Sequence, residues 1–353
     1  MLSIPLPGST KTAEARQKCR AIRRSTGLVP ALVGAFCLSL GGVALADGAF
    51  ELDGALGLGL DSNPAQSHSG SELAFARYAV EALRSWSSDD DTLSLGGGGW
   101  YRDYEGPNDA YRLNLLTEWS RETGSGRGLW RFSLAGVAYR DALVPADARN
   151  EAAFGLRYDQ LLSARHTLGL SVETRRLAYR QASLPWAGRP GAGALSSDDR
   201  ENDSQGTDRG HDAVAVRRDD QRLRLGLDFT RHWSPGVSTR LALFYVDNDS
   251  PVHIEGYQCP GVDVRWRLEP NDIWRLEAGV GWSLTRYDAA PRRQEREDRQ
   301  LSLGLAVHRS LGDLGWREAE FQCALDWLDS ESTLEAYAFR QWVTQCGWFW
   351  SFR

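Results

Sequence analysis

The sequence predicts an all-β chain, a transmembrane antiparallel outer-membrane β-barrel of about fourteen strands. Three observations carry that prediction. The chain opens on an export leader, its remainder alternates polar and apolar residues with a period of two, and it closes on an alternating aromatic strand.

The leader comes first. Arg16, Lys18, Arg20, Arg23 and Arg24 form a basic region, and an uncharged apolar run follows from Leu28 to Leu45. Ala44-Leu45-Ala46 is a small-x-small cleavage site with Asp47 behind it. The run is almost long enough to anchor in a membrane, but its Gly and Ala content and the cleavage site favour removal. Residues 1–46 are therefore expected to be a signal peptide, and residues 47–353 the barrel. Bulky Phe36 precedes Cys37, which excludes a lipoprotein cysteine there.

Composition is compatible with this. Only 42% of the residues are hydrophobic, as expected where half of each strand faces water. The leader holds six basic side chains and one acid, so the mature chain carries 41 − 6 = 35 basic and 47 − 1 = 46 acidic groups, net −11. That balance argues against nucleic acid, whose binding rests on cationic contacts with phosphate. Cys259, Cys323 and Cys346 survive cleavage in no zinc-binding spacing. A disulfide can form in an oxidising compartment, and an odd count leaves at least one thiol free.

Strands are expected to begin near residues 50, 73, 92, 110, 129, 151, 166, 221, 237, 257, 273, 299, 315 and 339. In the first, Phe50, Leu52, Leu56, Leu58 and Leu60 share one parity, and Glu51, Asp53, Ala55, Gly57, Gly59 and Asp61 the other. On a strand these sets point to opposite faces. The second and third segments carry the weakest pattern, because Gly96–Gly99 blurs the parity; that run signals a kink or close packing rather than a phosphate loop. The pattern then recurs clearly. Tyr111, Leu113 and Leu115 alternate with Arg112 and Asn114; Phe154, Leu156 and Tyr158 with Gly155, Arg157 and Asp159; Leu223, Leu225 and Leu227 with Arg222, Arg224 and Asp228; Leu301, Leu303 and Leu305 with Ser302 and Gly304.

The connections alternate as well. Short ones are expected at Leu162–Arg165, His232–Gly236, Leu268–Asp272 and Arg309–Gly312. Longer ones lie between them at Asp61–Ser71, Arg140–Asn150, Asp247–Gly256 and Tyr287–Asp298. The longest spans about Arg180 to Asp219 and is rich in Gly, Ser, Asp and Arg. Short turns at the periplasmic end and long loops outside are the outer-membrane arrangement.

At the C-terminus, Trp348, Trp350 and Phe352 share one face of the closing strand. This resembles the C-terminal assembly signal of bacterial outer-membrane barrels, with Arg353 one residue past the usual end. A soluble β-sandwich would alternate too. The dense Trp, Tyr and Phe near strand ends, the mixed charges with Gly and Ser on the polar faces, and this last strand favour the barrel in a bacterial outer membrane.

The polar faces are expected to line a lumen. Its charged residues would be Arg157, Asp159, Glu173, Arg175, Arg222, Arg224, Asp228, Arg265, Arg267, Arg275 and Glu277. Mixed signs at this density read as paired ladders that satisfy one another, or as a charged constriction that selects a solute or grips a passing chain. No catalytic motif accompanies them. His68, His166, His211, His232, His253 and His308 form no HExxH pattern. Asp89-Asp90-Asp91 reads as a solvated turn rather than a metal site. No enzyme activity, metal or cofactor is expected.

The stretch Arg217-Arg218-Asp219-Asp220, Leu225-Gly226-Leu227-Asp228-Phe229, Arg231-His232-Trp233-Ser234-Pro235-Gly236 and Leu241 to Ser250 resembles the C-terminal barrel of the surface lipoprotein assembly modifiers. Leu58-Gly59-Leu60-Asp61-Ser62-Asn63-Pro64 is similar to the first strand of the same barrels. The resemblance implies a fourteen-stranded barrel that helps lipoproteins reach the cell surface. The family's usual helical-repeat domain has no counterpart here, since strand one follows the leader directly.

Two functional classes stand after this reading. One is a transport or secretion barrel: a conduit for a lipoprotein or polymer, with a separate periplasmic partner or a surface lipoprotein client, or else a small-solute porin. The other is a plugged barrel that displays its long loop as a surface interaction protein. Outer-membrane lipid and the barrel-assembly machinery would be partners of either.

Overall fold

A computed structural model of the protein describes residues 48–183, 216–288, 295–316 and 318–353. The expected signal peptide, residues 1–46, and residues 184–215 of the expected long loop lie outside the described residues.

Alternation is converted into strands throughout. These are β1 (Ala49–Asp61), β2 (Leu73–Ser87), β3 (Asp91–Tyr104), β4 (Ala110–Glu122), β5 (Gly128–Asp141), β6 (Arg149–Ser163) and β7 (His166–Ser183). There follow β8 (Val216–Ser234), β9 (Val237–Asp249), β10 (Tyr257–Leu268), β11 (Trp274–Tyr287), β12 (Glu297–Ser310), β13 (Ala319–Ser332) and β14 (Phe339–Phe352). Each pairs antiparallel with its sequence neighbours, and β1 also pairs with β14, from Leu52↔Phe352 to Asp61↔Val343. The sheet is thus a closed barrel of fourteen strands. Closure matters because hydrocarbon offers no partner to an unpaired backbone N–H or C=O.

The exterior inverts a soluble protein. Leu58 is 66% exposed, Leu134 60% and Leu305 57%, and they belong to the outward parity of their strands. Trp130, Trp266, Trp274 and Trp350 sit on that face close to the short turns, where aromatic rings anchor at the membrane interface. The chain is therefore an outer-membrane β-barrel, with apolar side chains toward lipid and polar ones toward the lumen. At the centre of β5, Leu134→Arg should cost about 2–4 kcal/mol, the penalty of a cation at the midplane, read as a fall in equilibrium unfolding free energy in lipid vesicles. Arginine at the neighbouring lumen position, Ser133→Arg, should cost far less; equal costs would mean that the two faces have been misassigned.

Both ends of the barrel wall, Ala49 and Phe352, lie at the end carrying the turns 88–90, 164–165 and 235–236. Gly236 takes a φ of +77° in the last of these, a conformation open mainly to glycine. Gly98 and Gly99 prove to be close packing within an unbroken β3. A Cβ on Gly98 would lie 2.3 Å from the Val80 carbonyl oxygen, and one on Gly99 2.3 Å from that of Arg112.

Two boundaries differ from expectation. The long loop is narrower than Arg180–Asp219, because β7 runs to Ser183 and β8 starts at Val216. The pairing resumes beyond an irregularity between Ala178 and Ala182, and Arg176 Nη2 holds Asp219 at 2.5 Å across the two strands. Charged residues there read as loop, yet they are paired strand. The turn after β12 extends past Gly312 through a short 3-10 helix, Gly312–Leu314, so β13 begins at Ala319 rather than near 315. Gly315, at φ +90°, ends that helix.

Cys323 and Cys346 are directly opposed on β13 and β14 and form a disulfide with Cα atoms 4.1 Å apart. They share the outward parity with Leu325 and Trp348. Among the described residues Cys259 is the free thiol.

The same turn recurs at four of the loop ends. After β1, β5, β9 and β13, a side-chain oxygen at the strand end accepts the N–H two residues on: Asn63 to Asp61 at 3.0 Å, Leu143 to Asp141 at 2.8 Å, Val252 to Ser250 at 3.2 Å and Leu334 to Ser332 at 3.2 Å. A single turn of chain follows each, tying these loops down to the barrel rim.

Candidate functional site: the lumen

The lumen wall is built by the parity opposite to the Leu-rich face. Arg157, Asp159, Glu173, Arg175, Arg222, Arg224, Asp228, Arg265, Arg267, Arg275 and Glu277 all lie on it, as the register places them beside one another and away from Leu170, Leu225 and Leu276. They form several ladders rather than one cluster.

The most connected ladder crosses β5 to β9. Arg157 forks onto Asp228, with Nη1 to Oδ1 at 2.8 Å and Nη2 to Oδ2 at 3.1 Å. Its Nε and Nη2 also bind Asp159 at 2.9 and 2.6 Å. Arg131 reaches Asp159 at 3.0 Å and Arg240 reaches Asp228 at 3.2 Å. Asp159, Gly169 and Asp228 are consecutive partners across β6, β7 and β8. A Cβ at Gly169 would sit 2.4 Å from Arg157 Nη2. Glycine there is the gap through which Arg157 crosses β7, a close approach that needs the missing side chain.

A second ladder lies toward the long loops. Arg175 joins Glu151 at 2.7 Å and Glu173 at 2.9 Å, and Arg149 Nε donates to Glu151 at 2.9 Å. Beyond it, Arg218 joins buried Asp220 at 2.8 Å and Glu255 at 3.0 Å, with its guanidinium 4.0 Å from the Tyr179 ring centroid. Ser250 Oγ donates to Asp220 at 2.6 Å. Arg296 repeats the design outside the strands, holding Asp298 at 2.5 Å between the rings of Tyr287 and Tyr337. Burial is the largest single influence and works against its charge, but the hydrogen bond to Asp298 together with the charges of Asp298, Tyr287 and Tyr337 raises its pKa above the usual arginine value.

Nearer the short turns, Arg265 pairs with Asp263 at 2.9 Å and Arg267 with Glu269. Arg275 joins Glu320 at 3.0 Å and Glu277 at 3.4 Å, and its Nη2 also lies 2.7 Å from His308 Nδ1. An open recess that runs from this end up the wall as far as Arg77 on β2 is lined by Glu51, Asp53, Arg77, Glu81, Glu320 and Arg353.

Arg222 and Arg224 differ from the rest: Arg222 Nε donates to Asn248 Oδ1 at 3.3 Å, and Arg224 lies 4.9 Å from the Phe244 ring centroid. Sequence reasoning missed Arg131, Arg240, Glu151, Asp220, Glu320 and Gly169. Their parity was legible, but only the register shows that they complete the ladders. Asp89 and Asp90 fall in the β2–β3 turn, and among the described residues no group of His, Cys, Asp or Glu is arranged to hold a metal ion. His68 lies 4.0 Å from Glu335 at the loop end.

No family model and no curated protein matches the chain. Among solved structures it is similar to OmpT, an outer membrane protein of Vibrio cholerae, at 10% identity over 88% of this chain and 100% of that one, TM-score 0.46. It is also similar to the CymD monoaromatic hydrocarbon channel, at 12% identity over 88% and 90%, TM-score 0.45. A third is an anion-selective porin from Comamonas acidovorans, at 8% identity over 87% and 100%, TM-score 0.43.

Proposed function

We propose that the protein is a non-enzymatic outer-membrane transport or secretion barrel whose polar lumen is the path. One observation carries this reading. Among the described residues every lumen ion pair joins groups on the same strand, on adjacent strands or across one intervening strand, as Arg157 to Asp228 and Arg275 to Glu320 show. The charges are satisfied along the wall rather than across the axis, so they hydrate a passage without bridging it. A barrel of this strand number encloses a lumen wider than its own side chains fill.

Export of a lipoprotein or polymer, with a periplasmic partner or surface client, is the large-cargo form of the same conduit. A small-solute porin is the alternative form. A plugged barrel that works through its long loop is the competing class.

Single-channel recording of the refolded protein in planar bilayers tests the proposal. Stable ohmic steps are expected, and neutralising Arg265 and Arg267 should move the reversal potential toward cation preference, since each removes a lumen cation. Silence from protein shown to be folded and inserted would remove the open-conduit reading and leave partner-gated secretion or surface interaction.

A further inference from the structure

Most lumen arginines hold a carboxylate. Arg77, Arg102, Arg112, Arg222 and Arg224 do not: none has a carboxylate oxygen of a described residue within 4.0 Å. All lie toward the loop end of their strands. Arg102 and Arg112 stand two residues from the loop ends of β3 and β4, Arg77 four residues into β2, and Arg222 opposite Asn248, next to the last residue of β9.

Their placement has a cost. Arg77 and Arg102 are direct cross-strand partners, and Arg112 is diagonal to Arg102, whose own partner on β4 is Ala110. Like charges directly opposed destabilise a sheet. Arg102 Nε is buried with no hydrogen-bond partner, although Nη1 donates to the Tyr104 hydroxyl at 3.2 Å. The guanidinium is braced between Phe75 and Trp100, at 5.0 and 5.3 Å from their centroids. On the β8 wall, Arg222 leans on Tyr257 at 5.8 Å and Arg224 on Phe244 at 4.9 Å. Aromatic faces orient a guanidinium while leaving its N–H edge free.

We infer that these arginines form an oxyanion-binding belt in the loop-side half of the lumen, which takes phosphate or carboxylate groups as its ligand. The inference rests on the hydrated-passage reading above and gives that passage a substrate class. Guanidinium forks match the geometry of such anions in bidentate hydrogen bonds, and the ladders elsewhere show that carboxylate partners were available to this barrel wherever its arginines serve only the wall. The anion is either a free small solute or a group repeated along a polymer.

Isothermal titration of the refolded full-length barrel in non-ionic detergent decides this, with inorganic phosphate as one probe and long-chain polyphosphate as the other. Saturable phosphate binding is expected. The variant Arg102→Gln/Arg222→Gln/Arg224→Gln should weaken it by about tenfold or more, equivalent to 1.4 kcal/mol. Arg265→Gln/Arg267→Gln removes two lumen cations that are already paired and should change it by less than about threefold. Polyphosphate binding far tighter than phosphate assigns the belt to a polymer; equal affinity per site assigns it to a free anion. If the triple variant does not fold, exposed Arg224→Gln alone should still weaken binding. Equal losses in both multiple variants, or no binding of either probe by folded wild type, overturn the inference. Binding by a barrel that stays silent in bilayers keeps the belt and discards the open conduit; conductance without binding does the reverse.

Discussion

Replacing Trp348, Trp350 and Phe352 with serine should all but abolish the folded barrel in the outer membrane. These side chains share the outward face of β14 and lie opposite Leu56, Gly54 and Leu52 of β1. The Trp350 indole occupies the space that a side chain at position 54 would take, since a Cβ there would be 2.2 Å from the ring. The aromatic strand thus keys into a glycine across the closing seam. Without it the edges of β1 and β14 stay unpaired, and each unsatisfied backbone group in hydrocarbon costs several kcal/mol. The readout is heat-modifiable electrophoretic mobility of outer-membrane fractions. Gly54→Leu should reproduce much of the defect from the other side of the seam, whereas Phe349→Ser, on the lumen parity, should be mild. Normal levels of the triple serine variant would show that closure does not depend on this strand's outer face.

Asp228→Ala should lower the unfolding free energy by about 2–3 kcal/mol. Removing one partner of a buried pair typically costs 3–5 kcal/mol because the other charge is left uncompensated. The lower value is expected because lumen water reaches the cations, Arg157 being 26% and Arg240 44% exposed, while Asp228 itself is 8% exposed. Urea titration in micelles measures it. Joint replacement, Arg157→Leu/Asp228→Leu, should cost less than the two single changes summed, the signature of a coupled pair. Gly169→Leu should approach the Asp228→Ala loss, since its side chain would obstruct the path of Arg157 across β7. Additive costs, or a loss below about 0.5 kcal/mol for Asp228→Ala, would demote this ladder to surface decoration.

Much of the barrel was legible because β alternation is a local property. Phe50 to Asp61 shows both faces of β1 without reference to any other strand, and the same holds for β8 and β12. The expected start of β8, at 221, falls late because Arg217 to Asp220 looks like loop; its charges are in fact paired across the hairpin and at the rim. The start of β13 falls early because Gly315 and Trp316 continue the strand's pattern on paper but belong to a turn. The candidate site was partly legible: parity put Arg157 and Asp228 on one face, but nothing local says that they touch.

The sequence by itself determined the class of structure, the alternation of faces along the strands and the aromatic closing strand. Period-two patterning and turn chemistry suffice for those, since each acts over a few residues. Only the tertiary structure decided which charges are spent and which are free. Glycine at 169 lets an arginine on β6 reach an aspartate on β8; Cys323 meets Cys346 rather than Cys259; Arg222 and Arg224 find rings where Arg175 finds carboxylates. Those outcomes depend on the stagger between strands, and the stagger is set by closing the whole sheet on itself.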